Sequence, residues 1–455
     1  MRSQTITRRA LLRVSVGSVL ALSVLGVAAC SNTAATPTAA PASKPTTAAS
    51  SATAAPAASS NSTSSGSISL SQWYHQYGEK GTEQAVMKYA QEYEAAAKNV
   101  KVTVTWVPGD YASKLATALA GGSGPDVYEG SPTVAMVKAN QVASLDDLFT
   151  ASVKNDFNSK DLEAATINGH IYAVKMIDDT GALYYRKSVL QKAGVQPPTT
   201  FDELTTVAKA ITTRQQKGLF IGNDGGISAL LTLLPVSAGS QIISASDNKI
   251  LFDNDNTAKA YEGLAALNKS GSLLIGAPTD WTDPSAFIQG LCAIQWEGLW
   301  AYPAINTALK EDFDVLPWPA MKVGSSAGTP VTFWGGWAEM ANAQSKQLDA
   351  AKALVKWFWI DNQTIQTDWA SSYGFHVPPR LSVAKADEKL KTGRPLEFVQ
   401  NMYSHGIILP PIWDATMGTD LLTAASNIVK FGKPAAAEVK TAADKCAAEL
   451  ATELK

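Results

Sequence analysis

Three carboxylates and a run of tryptophans are the residues whose types and spacing could do chemistry. Glu297 stands in an otherwise apolar run just before Gly298, so it either meets a ligand or belongs to a buried ion pair. Glu129 and Ser131 follow the turn at Pro125-Asp126, and Asp179 follows a second acid, Asp178. Twelve tryptophans are present, nine of them between Trp281 and Trp369. Flat aromatic platforms with polar groups at their rim suit a ligand that has an apolar face and a polar edge. Trp357, Trp359 and Trp369 lie on helical patterns and read as packing residues.

Motifs for covalent chemistry are weak. Gly324-Ser325-Ser326-Ala327-Gly328 fits G-x-S-x-G, but that motif needs a strand before it and a helix after it. Here a loop interrupted by proline precedes it, and the strand-like Val331–Phe333 follows. The four histidines include no H-E-x-x-H and no His/Cys cluster, so no metal site is expected. No P-loop or G-x-G-x-x-G loop is present, and no cofactor is expected. With 38 basic and 40 acidic residues, net −2, nothing favours nucleic acid.

The elements that must position these residues alternate between strand and helix. Ile68–Trp73 reads as a strand, and Thr82–Lys98 carries a helical stripe through Val86, Tyr89, Ala90, Tyr93 and Ala97. Val100–Val107 alternates as a strand, Tyr111–Ala120 is helical, and Asp126-Val127-Tyr128 is a short buried strand. This order predicts a largely parallel sheet in the first domain. Thr200-Phe201-Asp202-Glu203 is a capping box that opens a helix to about Thr213. Gln347–Ile360 is amphipathic, and Ala435–Leu454 is an Ala-rich helix. From Ile68 to Lys455 the chain exceeds the roughly 250–300 residues at which single cores stop growing, so two domains are expected.

The N-terminal residues point to export. Arg2, Arg8, Arg9 and Arg13 precede an uncharged run, Val14–Ala29, shorter than the about 20 residues of a membrane span. Residues 1–29 read as a signal peptide, and Thr7–Arg13 resembles a twin-arginine signal. Val27-Ala28-Ala29-Cys30 resembles a bacterial lipobox, with Cys30 as the lipid attachment point. Residues 31–67 are almost all Ala, Ser, Thr and Pro; they cannot bury enough apolar surface to order themselves and read as a tether. Cys292 and Cys446 remain; a disulfide is allowed in this compartment, and sequence leaves their pairing open.

Gly124–Tyr128, Asn168–Val174, Asp178–Lys187 and Ala193–Leu204 stand in an order that resembles the extracellular solute-binding proteins of sugar ABC transporters, the group that includes maltose-binding proteins. Gly124-Pro125-Asp126-Val127-Tyr128 is similar to that family's G-x-P-D-V turn, and Asn168–Val174 to its D-G-K-I-Y-G-L. Asp178–Lys187 is similar to D-x-x-x-L-Y-Y-N-K, and Ala193–Leu204 to A-G-L-x-P-P-K-T-W-D-E-L. Phe287–Ile294, Gly298-Leu299-Trp300, Thr332–Trp337 and Tyr373–Arg380 follow in family order.

The resemblance implies an α/β, two-lobed periplasmic-binding-protein fold (type II) with three hinge crossings, near Asp179–Ala182, Phe333–Trp337 and Phe375–Pro379. Lobe one would hold residues 68–178 plus 338–376, and lobe two residues 182–332 plus 380–455. Trp300, Gly336 and Trp337 would then line the cleft, Asp179 would be a ligand carboxylate at the first crossing, and Trp413 would follow Pro410-Pro411 at a cleft position. Trp73, His75 and Tyr77 lie at and after the first strand, facing the cleft, although the carboxylate pattern the family carries there is absent. The expected function is capture of a mono- to oligosaccharide outside the cytoplasmic membrane by a lipid-anchored monomer that serves a membrane permease. A sensor subunit binding the same ligand and a glycoside hydrolase using Asp179 and Glu297 are the alternatives.

Overall fold

The computed structural model describes residues 67–244, 246–373 and 375–454. The signal peptide, Cys30 and the tether lie outside the described residues, except for Ser67.

Two sheets organise the molecule. In the first, Ile68–His75 pairs in parallel with Val100–Val107 and with Val127–Gly130. The β-branched alternation of Val100, Val102 and Val104 suits this pleated surface. Ala338–Ala341 then joins antiparallel, arriving from far along the chain, and Val174–Lys175 closes the edge. The helices Thr82–Ala96 and Tyr111–Ala120 return the chain between the parallel strands. Asp110 caps the latter by accepting from the Ser113 amide at 3.1 Å.

The second sheet runs in the order Asp314–Leu316, Gly181–Tyr185, Cys292–Gly298, Lys217–Phe220. Gly181–Tyr185 is covered on both faces: Leu183 and Tyr185 enter one apolar cluster, Ala182 and Tyr184 another. The capping box forms as its sequence predicts, with Thr200 accepting from the Glu203 amide and Glu203 from the Thr200 amide, both at 3.2 Å. The amphipathic segment after Gln347 departs from expectation. Its regular helix is Leu348–Lys356, and the next turn, Trp357–Asp361, widens to a π-helix.

The buried residues fall into separate cores. One gathers residues from Leu70 to Ile177 and from Ala338 to Ala370. The others, on the two faces of the second sheet, gather residues from Ala182 to Trp334 and from Phe375 to Leu450. The chain therefore passes between cores three times: between Ile177 and Ala182, Trp334 and Ala338, and Ala370 and Phe375. The passages are laced together. Asp179 and Gly335 exchange backbone hydrogen bonds of 3.3 and 2.8 Å, and Asp178 and Val377 exchange two of 2.8 and 2.9 Å.

Cys292 and Cys446 are both buried and unpaired, and they belong to different clusters. The G-x-S-x-G segment is a turn in which the Ser326 hydroxyl donates to the Ala238 carbonyl at 3.0 Å; no strand and helix frame it.

Candidate functional site between the two cores

A cavity of about 370 Å³ opens where the passages meet, with walls from both cores. Ser131, Pro132, Thr133, Asp161 and Lys175 line it from one side. Ser228, Ala229, Leu231, Thr232, Leu233, Phe333, Trp334, Ile407–Leu409 and Trp413 line it from the other, and Gly335 and Gly336 line it at the hinge. Ser131 also lines a second hollow of about 530 Å³ on the first core, together with His75, Tyr111, Glu129 and Trp337.

Local sequence explains why these side chains meet here. Glu129 and Ser131 sit at the end of a parallel strand, beside the end of Ile68–His75, so their loops share one sheet edge. Gly336 has a left-handed backbone (φ 96°) where the second passage crosses the first. A β-carbon there would lie 2.1 Å from the Ile177 carbonyl oxygen, so only glycine lets the two chains approach.

On the first core, Glu129 is fully buried and saturated. It accepts from the His75 amide and ring, and from the Tyr77 hydroxyl at 2.7 Å. His75 is stacked against the half-buried Trp337 with ring centroids 4.1 Å apart, and Tyr111 meets the same indole edge to face at 6.2 Å. Tyr77 is buried against Trp369 and serves mainly to hold Glu129. Trp73 faces a separate surface hollow with Trp106 and Lys114.

On the second core, Trp300 is half-buried, lies 6.0 Å from Trp281 and is stacked on Phe333 at 6.2 Å. Its indole N–H donates to the Thr282 carbonyl at 3.2 Å. Trp413 lines the cavity, edge-on to Phe252. Glu297 is fully buried in its strand, accepting from Gln295 at 3.1 Å and the Gly298 amide at 2.9 Å. Burial pushes its pKa well up, and it lines neither hollow. The paired-acid geometry of a glycoside hydrolase, with Asp179 and Glu297 facing one space, is not formed.

Asp179 is 6% exposed and meets His376. Burial alone would push the His376 imidazole down, but Asp179 and Glu79 overcome it and hold its pKa at about 10. Sequence reading passed over both Glu79 and His376. Glu79 lies just beyond the loop where the family's carboxylate pattern was found wanting.

A second charged group underlies the hinge. Lys175 donates to the Gly335 carbonyl at 2.7 Å and lies 3.4 Å from Asp178 and 3.9 Å from Asp161. Burial raises the pKa of both acids. The Trp334 indole donates to Asp161 at 3.0 Å. The Lys175 charge is thus neutralised within the protein. No described residue lining the cavity offers an unpaired cation to an anionic ligand.

Residues 88–393 match the family described as bacterial extracellular solute-binding protein. The chain belongs to that family. This solute-binding protein is 24% identical over 347 residues to a maltotriose-binding protein of Pyrococcus abyssi, covering 74% of this chain and 73% of that one. It is 25% identical over 246 residues to the sn-glycerol-3-phosphate-binding periplasmic protein UgpB of Escherichia coli K12, covering 49% of this chain and 54% of that one. Among solved structures it is similar to the GacH receptor of Streptomyces glaucescens, with a TM-score of 0.72 and 23% identity over 84% of this chain and 98% of that one. It is also similar to maltose-bound MalE3 of T. maritima, with a TM-score of 0.70 and 20% identity over 83% and 99%. The fold is the two-lobed periplasmic-binding-protein fold, and this solute-binding protein is a binder rather than an enzyme. No described helix is long and apolar enough to cross a membrane.

Proposed function

We propose that this solute-binding protein captures a small uncharged carbohydrate, a mono- to oligosaccharide, outside the cytoplasmic membrane. It then delivers the sugar to an ABC transporter permease as its lobes close about the hinge. The lobes are residues 68–178 plus 338–376 and residues 182–332 plus 380–455, a division that the separate cores support except at the third crossing, which comes earlier than the expected Phe375–Pro379, since Phe375 already packs in the second core.

The observation that carries the reading is the cavity between the cores, walled by Phe333, Trp334 and Trp413 and edged by Ser131, Thr133, Ser228 and Thr232. Aromatic faces beside hydroxyl groups match the two faces of a sugar ring. Trp337 and Trp300 add half-buried platforms, one on each lobe. Sugar ligands also stand in the names of relatives and neighbours with this fold. Glycerol phosphate, named for another relative, fits less well because Lys175 is already paired.

The chain acts as a monomer held to the membrane by a lipid on Cys30, with residues 31–67 as its tether. Titration calorimetry with maltotriose, a panel of smaller sugars and sn-glycerol 3-phosphate tests the ligand class. Saturable binding of one of the sugars is expected. Binding of glycerol phosphate alone would overturn the carbohydrate reading.

A further inference from the structure

We infer that His376 is a positioning residue for ligand capture: as an imidazolium between Asp179 and Glu79, it fixes the Asp179 carboxylate at the hinge. It also ties the loop that follows the first strand of lobe one to two crossing segments. The ligand part of this inference rests on the carbohydrate reading above.

The argument starts from donors and acceptors. The ring Nδ1 lies 2.5 Å from Asp179 Oδ1, and Nε2 lies 3.4 Å from Glu79 Oε1. A neutral imidazole carries one N–H, whereas an imidazolium carries two. Both ring nitrogens face carboxylate oxygens, Nδ1 at hydrogen-bond distance and Nε2 as an ion-pair contact, so the surroundings on both sides favour the charged ring. His376 is 4% exposed, and a buried cation is tolerated only where it is paired.

The three residues come from three distant segments. Asp179 rides on the first crossing, pinned to Gly335 of the second by paired backbone hydrogen bonds. His376 rides on the third, with its amide donating to Ala370 and its neighbour Val377 paired to Asp178. Glu79 alone comes from the body of lobe one, beside Thr82, whose hydroxyl donates to its carbonyl at 2.8 Å. The other titratable groups facing the cluster are Tyr77 and His75, both on the same lobe-one segment as Glu79.

With Oδ1 taken by the ring, Asp179 Oδ2 accepts no hydrogen bond from a described residue; Asp179 lines neither hollow, and this oxygen would meet a ligand hydroxyl at the hinge only as the lobes close. His376 thus sets which oxygen is presented, and Glu79 sets the position of the ring. Its sequence context, Tyr373–Arg380, resembles a family segment, yet nothing in that segment's pattern calls for a histidine.

The test reads charge and binding separately. The chain has four histidines, so the nitrogen spectrum of the ¹⁵N-histidine-labelled protein is simple. At pH 8.5 one ring should show two protonated nitrogens, and that signal should vanish in His376→Gln. In titrations with maltotriose and the sugar panel, His376→Gln should weaken binding about tenfold, the scale of one charge-assisted hydrogen bond. Adding Asp179→Asn to His376→Gln should cost little more, because the two act as one unit. Glu79→Gln keeps the Asp179–His376 pair; it should weaken binding less and let the ring lose its proton at lower pH. This variant carries the test if His376→Gln does not fold. Absence of a charged ring at pH 8.5, or parental affinity in His376→Gln, would overturn the inference. A charged ring in a protein that binds none of the sugars sinks the carbohydrate reading and the capture role together, and leaves only the hinge tie.

Discussion

Replacing Gly336 by alanine probes the hinge at its tightest point. The added β-carbon would meet the Ile177 carbonyl oxygen at 2.1 Å, the Ile177 carbonyl carbon at 2.9 Å and the Asp178 α-carbon at 3.0 Å. All three are backbone atoms, so no side chain can swing aside. The backbone at Gly336 is also left-handed, which costs an L-residue about 1–2 kcal/mol. Relief requires the second crossing to lift off the first. That move stretches the bond from the Trp337 amide to the Ile177 carbonyl, 3.2 Å, and the one from the Met176 amide to the Trp337 carbonyl, 2.8 Å. Two weakened hydrogen bonds cost about 0.5–1.5 kcal/mol each. The total is about 2–5 kcal/mol, a large part of the roughly 5–15 kcal/mol that holds a domain together. Thermal unfolding followed by circular dichroism should show Gly336→Ala melting lower by at least about 5 °C. Maltotriose titration should show weakened binding, because Trp337 moves with the strand. A variant that melts within about 1 °C of the parent and binds equally well would refute the reasoning about the crossing.

Trp337→Ala removes a platform stacked on His75 and should cost at least about tenfold in maltotriose affinity by calorimetry, while the fold stays intact. The stability that His376 draws from its two carboxylates depends on pH. Its folded pKa of about 10 lies above the usual histidine value, so the contribution is complete below about pH 6.5 and is lost as pH rises through about 10. Urea unfolding of the parent should therefore weaken from pH 7 to pH 10 more steeply than that of His376→Gln; equal slopes would count against a charged ring. Cys30→Ser should release the protein from membranes after a high-salt wash, and retention there would count against the lipid anchor.

Much of the architecture was legible because its signals are local. The alternation of Val100, Val102, Val104 and Trp106 marks a strand whatever surrounds it, and Thr200 with Glu203 caps a helix through atoms three residues apart. The widened turn at Trp357–Asp361 was not legible: its periodicity is that of a helix, and the bulge is a property of how those rings pack. The candidate site was legible in part. Gly336 and Trp413 line the cavity between the cores, and His75, Glu129 and Trp337 share the adjoining hollow, with Ser131 lining both. Glu297 was conspicuous as an acid among apolar residues, but sequence cannot tell an acid aimed at a ligand from one folded inward. Gln295 and the Gly298 amide turn it inward.

By itself, the sequence determined the order of strands and helices, the family and the aromatic character of the cleft, since these rest on residue types and near-neighbour spacing. Only the tertiary structure decided which charges meet. Glu79, Asp179 and His376 lie on three segments far apart in sequence, and no local pattern records that two crossings and a loop will bring them within ion-pair reach. The same holds for Lys175, whose charge is cancelled by Asp161 and Asp178. A charge's partner is set by where the backbone carries it, and that position exists only once the cores have packed.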